Sequence, residues 1–168
     1  MALSMNTRRR LETQGFVGLD DDTLAAAAPW LRLAPALCAT ICAVGTILAS
    51  PPVLWALAAT AGLGAILPFH PFDLVYSLGL RRLTGSHGLP ANGVPRRFAC
   101  GVGFVWLLAT GALFATSWMV AGYLLGGAFV ATASLVATTY ICIPSLIYGA
   151  ACSRFAAPAR AGRISPGP

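Results

Sequence analysis

The sequence predicts an all-α membrane protein: four transmembrane helices arranged as two hairpins, with a short interfacial helix in a central cytoplasmic loop. Three observations predict it. Between Arg32 and Asp73 the only ionisable side chains are cysteines and His70, and between Arg97 and Arg154 only cysteines and tyrosines. Each gap is about twice the roughly 20 residues a helix needs to cross a bilayer, so each holds a helical hairpin. Hydrophobic residues make up 57% of the chain and charged residues 10%, with a mean hydropathy of +0.75. A soluble domain carries roughly 25% charge, so a water-soluble core is excluded. Finally, all eleven basic residues are arginines, and they sit in the N-terminal arm, at the head of the first helix, in the central stretch and in the C-terminal tail. The two tight links carry none. By the positive-inside rule both termini and the central loop are therefore cytoplasmic.

In chain order, residues 1–30 form a polar cytoplasmic arm. Arg8, Arg9 and Arg10 are followed by Glu12 and Asp20 to Asp22, with no apolar stretch close enough to make a signal peptide. Asp22 or Thr23 is placed to cap a short alanine-rich turn that ends before Pro29. Trp30 and Arg32 then serve as an interfacial anchor. The transmembrane domain covers residues 31–152, with helices at about 33–49, 53–67, 98–114 and 118–143. Ser50-Pro51-Pro52, Pro68-Phe69-His70-Pro71 and Ala115-Thr116-Ser117 separate them, and Pro144 kinks or ends the last. Proline cannot continue a helix, because it lacks the amide and clashes with the preceding turn.

Within the central loop, residues 68–97, the run from Phe72 to Leu83 puts Phe72, Val75, Leu78 and Leu83 on one face and Asp73, Ser77, Arg81 and Arg82 mostly on the other. This is the pattern of an interfacial helix lying on the inner leaflet. Its arginines favour anionic lipid by about 1 kcal/mol each. The tail, residues 153–168, has the Gly and Pro content of a flexible segment, and both arm and tail are expected to be disordered unless a partner holds them.

The run His70-Pro71-Phe72-Asp73-Leu74-Val75-Tyr76, then Arg81-Arg82, then Pro95-Arg96-Arg97-Phe98-Ala99 at the head of the next helix, resembles a family of bacterial membrane proteins grouped as domain of unknown function 4395. The resemblance covers most of the chain from the first helix to Tyr148. It implies a bacterial four-helix inner-membrane protein with no established activity, whose relatives are sometimes encoded near, or fused to, thioredoxin-like or sulfur-handling proteins. Some relatives carry a close cysteine pair near the end of the last helix. Here that stretch reads Cys142-Ile143-Pro144-Ser145, with no second cysteine at that spacing.

The chain shows no Ser-His-Asp order, P-loop, dinucleotide fingerprint or zinc-protease motif, so no catalytic residue, cofactor or metal is assigned. Nucleic acid is excluded as a partner because no aromatic-basic motif accompanies the arginines. An ionisable residue at membrane depth is expensive and usually functional. His70 and Asp73, however, fall just past a helix end, where water and headgroups reach. They are read as a structural latch with Arg81, Arg82, Arg96 and Arg97, in which His70 caps the exposed carbonyls of the preceding helix. Cys38, Cys100 and Cys142 fall at one depth and form a possible thiol cluster. Gly122 and Gly126, at GxxxG spacing, form a helix-packing face.

The function expected is that of a non-catalytic accessory or scaffolding subunit of a larger bacterial membrane complex, respiratory or photosynthetic, embedded among anionic inner-leaflet lipids. The alternatives are a thiol-redox or sulfur-linked membrane partner and a small transporter. Reporter fusions test the orientation: those at Gly88 and at the C terminus should read as cytoplasmic and one at Pro52 as external. An external reading at Gly88 inverts every depth assignment above.

Overall fold

A computed structural model describes the backbone of residues 4–75 and 90–161, and the side chains of 4–73 and 90–152. The described residues form eight helices and no strand: α1 Met5–Thr13, α2 Asp21–Leu31, α3 Leu33–Ile47, α4 Pro51–Ile66, α5 Pro71–Val75, α6 Val94–Ala115, α7 Met119–Thr139 and α8 Ile143–Ala161. Three stretches are long and apolar enough to cross a membrane: Asp21–Ile47 taken as one rod, Val94–Ala115 and Met119–Thr139. Pro51–Ile66 and Ile143–Cys152 are shorter apolar helices. Ile47, Val120 and Leu124 are each more than two-thirds exposed. Large aliphatic side chains in that position are at home in lipid rather than water.

The main core joins four helices. Cys42 from α3, Leu54, Leu57, Ala58 and Ala61 from α4, Leu107 and Phe114 from α6 and Phe129 from α7 form one buried cluster. The most extensive packing is of α4 on α6 and of α3 on α7. Small residues make these approaches possible: a Cβ at Gly122 would sit 2.7 Å from the Phe114 ring, and one at Gly126 would collide with Thr46. The glycine face predicted from spacing is thus filled from within the chain.

The N-terminal arm is folded, contrary to the expectation of disorder. Ser4 caps α1 by accepting from the Thr7 amide at 3.2 Å, and Asp20, not Asp22 or Thr23, caps α2 by accepting from the Thr23 amide at 3.0 Å. Helix α2 does not stop before Pro29 but runs through it to Leu31, and Arg32 keeps helical dihedrals into α3. At the end of α1 the chain turns through Gly15 at φ +99°. There the Phe16 amide bonds Leu11 O at 3.2 Å and the Gly15 amide bonds Glu12 O at 2.9 Å. This is a Schellman turn closed by the hydrophobic contact of Phe16 with Leu11. Both belong to a second buried cluster with Leu24, Ala27, Ala28, Leu31 and Tyr140. The arm thus packs on an apolar core that it shares with Leu31 and with Tyr140 from the α7–α8 join.

Helix ends also differ from the sequence reading. Prolines open helices here more often than they close them: Pro51, Pro71 and Pro95 occupy first turns, where the missing amide would have been unpaired anyway. Helix α6 accordingly begins at Val94, which places Arg96 and Arg97 inside it. The last predicted helix is two: α7 ends at Thr139, Tyr140 takes a left-handed φ of 60°, and α8 starts at Ile143 with Pro144 in its first turn. The predicted interfacial helix is described only as α5; Leu78, Arg81 and Arg82 lie outside the described residues, as does the end of the tail.

Two glycine substitutions separate backbone strain from docking. Gly18, at φ +80°, has open space where a Cβ would go, whereas at Gly15 a Cβ would meet the Gly93 Cα at 2.8 Å and the Pro95 Cδ at 3.0 Å. Both alanine variants incur roughly 1–2 kcal/mol of left-handed strain. Only Gly15→Ala should also displace the arm from the head of α6, giving the larger fall in melting temperature in detergent. Equal falls would mean that this contact does not hold the arm.

Candidate functional site

The site grows from the junction between α4 and α6. His70, Pro71, Phe72 and Asp73 make a reciprocal cap on the short helix α5. His70 Nδ1 accepts from the Phe72 amide at 3.3 Å and Asp73 Oδ2 accepts from the His70 amide at 3.0 Å, with proline in the first helical position. The arrangement is that of a capping box in which histidine takes the place of serine or threonine. His70 therefore caps the start of the following helix and not, as the sequence suggested, the end of the preceding one. That end belongs to Arg97, which donates to Ala65 O at 3.0 Å and to Ile66 O at 2.5 Å.

Burial is the second departure. His70 is 4% exposed, Asp73 6% and Arg96 7%, so these groups lie inside the protein rather than in headgroup water. Burial pushes the His70 imidazole down from its ordinary 6.5 to about 4; the Asp73 carboxylate opposes this shift and the Arg96 cation adds to it. A neutral ring is what the geometry requires, since Nδ1 accepts a hydrogen bond and so carries no proton. Arg96 donates to Leu31 O through Nη2 over a long 3.5 Å and lies over the Phe16 ring at 5.3 Å. Its Nη1 is buried with no hydrogen-bond partner among the described residues, and the Asn92 side-chain amide is in the same position. Of the residues grouped as a latch, His70, Asp73 and Arg96 are buried near one another, while Arg97 serves the last turn of α4. Arg81 and Arg82 lie outside the described residues.

Next to Arg96 is a cavity of about 440 Å³, lined by Phe98, Val102, Trp106, Phe129, Val136 and Ile147 and also by Gln14, His70 and Arg96. Cys38, Cys100 and Cys142 all line it. The three thiols grouped by depth alone are therefore brought to one place from three separate parts of the chain. A Cβ at Gly64 would meet both the His70 ring, at 2.7 Å, and Cys100 Sγ, at 3.4 Å, so that glycine lets ring and thiol share one corner. Among the described residues no three His, Cys, Asp or Glu side chains are placed to hold a metal ion.

Sequence reasoning missed Gln14, whose Nε2 donates to Tyr140 O at 2.8 Å while the side chain closes the cavity. It also missed Tyr140, whose hydroxyl donates to Ala28 O at 3.0 Å. A glutamine in a charged arm carries no signal of burial. The turn glycine beside it, Gly15, was the available hint that the arm doubles back.

A family model for a domain of unknown function, DUF4395, matches residues 28–152. The chain belongs to the DUF4395 family. The match runs from the end of α2 to α8, so the junction, the three thiols and the cavity walls other than Gln14 fall within the DUF4395 region. No curated protein and no solved structure matches the chain.

The buried imidazole makes a signed prediction. Because the folded state holds His70 near 4 and the unfolded state near 6.5, the unfolded chain binds the extra proton between those values. His70 is therefore neutral in its effect above pH 6.5, and stability falls as pH drops through the window from 6.5 to 4, by roughly 3 kcal/mol in all. Melting curves in detergent should show that loss for the natural protein. His70→Asn, which keeps a capping acceptor but has no proton to gain, should flatten it. Parallel curves for both proteins would refute the assignment.

Proposed function

We propose that the protein is a four-span membrane protein that binds a small, largely apolar molecule in the cavity at the arginine-bearing end of its helices. The spans are Leu33–Ile47, Pro51–Ile66, Val94–Ala115 and Met119–Thr139, with α2 and Arg32 at the end of α7 rather than within the bilayer. Of these, Pro51–Ile66, at 1.5 Å per residue, rises about 24 Å, so the apolar Leu67, Pro68 and Phe69 complete its crossing of a core about 30 Å thick. With four crossings both termini and the central loop share one side, and the arginine distribution then favours the cytoplasmic side of a bacterial inner membrane for them.

The observation that carries the binding role is the cavity. At about 440 Å³ it lies in the roughly 300–1,000 Å³ range of ligand sites, and its composition, apolar walls with a few converging polar groups, is theirs as well. The sequence favours an accessory subunit of a larger complex; Gly122 and Gly126 pack inside the chain and part of the arm packs on Leu31 and Tyr140, so neither feature calls for a partner. A sulfur-linked role keeps a specific observation in its favour, the three thiols on the cavity wall.

Native mass spectrometry of protein released from its membrane decides between these. The natural chain should retain a small molecule of defined mass. Gly103→Leu should lose it, because a Cβ there points toward the Phe129 ring at 3.6 Å and the longer side chain fills the space. A chain that never carries an adduct in any mild detergent would end the binding reading. For the sulfur-linked reading, replacing all five cysteines with serine should abolish whatever cellular phenotype loss of the protein produces, since serine has no thiolate nucleophile to offer. An unchanged phenotype would end that one.

A further inference from the structure

We infer that the cavity takes a single-chain amphiphile with an anionic carboxylate head, seated with its head on Arg96 and its chain along the walls formed by Phe98, Trp106 and Phe129. The inference rests on the binding role proposed above and specifies its ligand.

Three independent features lead to it. The first is an unmet donor. Arg96 is 93% buried by its 7% exposure, lines the cavity, and has no acceptor for Nη1 among the described residues. A guanidinium cannot shed its proton to escape burial and presents planar paired donors that match a carboxylate. The carboxylate already nearby, Asp73, is engaged through Oδ2 by the His70 amide. The neighbouring His70 acts as a neutral acceptor, so Arg96 is the cation that an entering anion meets.

The second feature is polarity along the cavity. His70 and Arg96 lie near each other and, with Gln14, are the strongly polar groups in a lining that is otherwise mostly apolar, Phe98, Trp106, Phe129 and the cysteines among it. A ligand polar at one end and apolar along its length fits this better than a uniformly polar metabolite or a plain hydrocarbon.

The third is the route in. Phe98, Ile143 and Ile147 line the cavity yet are 43%, 43% and 59% exposed. The cavity therefore reaches the surface beside exposed apolar side chains, which suits a ligand that is carried in the bilayer rather than in water. Fatty acids and anionic phospholipids both join an anionic oxygen-bearing head to apolar chains, but only the free acid has a carboxylate as its whole head. The volume accommodates one chain, which favours the free acid.

The test uses the full chain purified in neutral detergent and tritiated palmitate in a scintillation proximity assay. Saturable binding should be displaced by unlabelled palmitate, and at least tenfold less effectively by methyl palmitate, which has the same chain and no charge. A phosphatidylglycerol should displace less well than palmitate. Arg96→Gln should weaken palmitate binding at least tenfold and leave any methyl palmitate binding unchanged, with Arg96→Lys between. The acid-to-ester comparison is made on the natural protein, so it stands even if the variants misfold.

Equal displacement by acid and ester overturns the carboxylate assignment while leaving the cavity as a binding site. Stronger displacement by the phospholipid overturns the single-chain assignment. If neither acid nor ester binds but native mass spectrometry finds another adduct, the inference fails alone. If no adduct is found either, the binding role fails with it.

Discussion

Helix C-termini are the constraint on which this structure depends. Each helix leaves its last four carbonyls without a partner in its own backbone, and in lipid or a protein interior no water is at hand to supply one. At the arginine-bearing end, cationic and amide donors from distant parts of the chain do so. Arg97 donates to the last turn of α4. Arg10, Gln14 and Arg32 donate to Thr139 O, Tyr140 O and Thr138 O at the end of α7. A cation at a helix C-terminus also meets the negative end of the helix dipole favourably. The opposite end is solved locally: Ala49 and Ser117 adopt left-handed dihedrals, and the following amides, Ser50 and Trp118, bond back to Gly45 O and Leu113 O at 2.8 Å each.

From those caps the position of the N-terminal arm follows. Arg10, Gln14 and Arg32 come from α1, its C-terminal turn and the α2–α3 join, and all three reach one turn of α7. Arg32 also lies over the Tyr140 ring at 4.2 Å, a distance at which a cation and an aromatic face attract. The arm is therefore tied to the point where α7 gives way to α8. That break would otherwise be a non-glycine residue in a strained conformation with bare carbonyls on either side. Tyr140 is held from four directions, by Arg32, Gln14, Ala28 O and the apolar cluster around it, and such over-determination is what lets a strained residue persist.

How much of this was legible in the sequence depends on whether the signal was local. The apolar stretches, the prolines near their ends and the small-residue face of α7 are properties of contiguous residues, and apolar helices lie along those stretches, with ends that differ by a few residues and with the last stretch split in two. Cys38, Cys100 and Cys142 were grouped by depth, a one-dimensional property that survives folding, and they line one cavity. What was not legible depends on contacts between distant residues. Pro29 reads as a stop, yet α2 passes through it because Leu24, Ala27, Ala28 and Leu31 have a core to bury in. The carbonyls that His70 was expected to cap are taken by Arg97, since sequence shows that a helix end needs a donor but not which donor will be within reach. Charged residues in the arm mark solvent by default, and nothing marks Leu11 and Phe16 as the two that close over a core.

Arg96 and Arg97 show how one residue of offset settles the fate of a charge. Adjacent positions on a helix point about 100° apart. Arg97 swings toward the end of α4, finds two carbonyls and keeps part of its surface outside, while Arg96 turns inward beneath the arm. Removing a guanidinium from water is expensive unless its donors are met, and a 3.5 Å bond to Leu31 O with an aromatic ring at 5.3 Å meets few of them. An aliphatic residue at 96 would fill the same space without that penalty and would close the corner of the cavity. A buried, under-satisfied cation beside an unfilled apolar space is thus a combination that stability alone does not favour. The two features account for each other when the space receives a molecule that brings the missing acceptor.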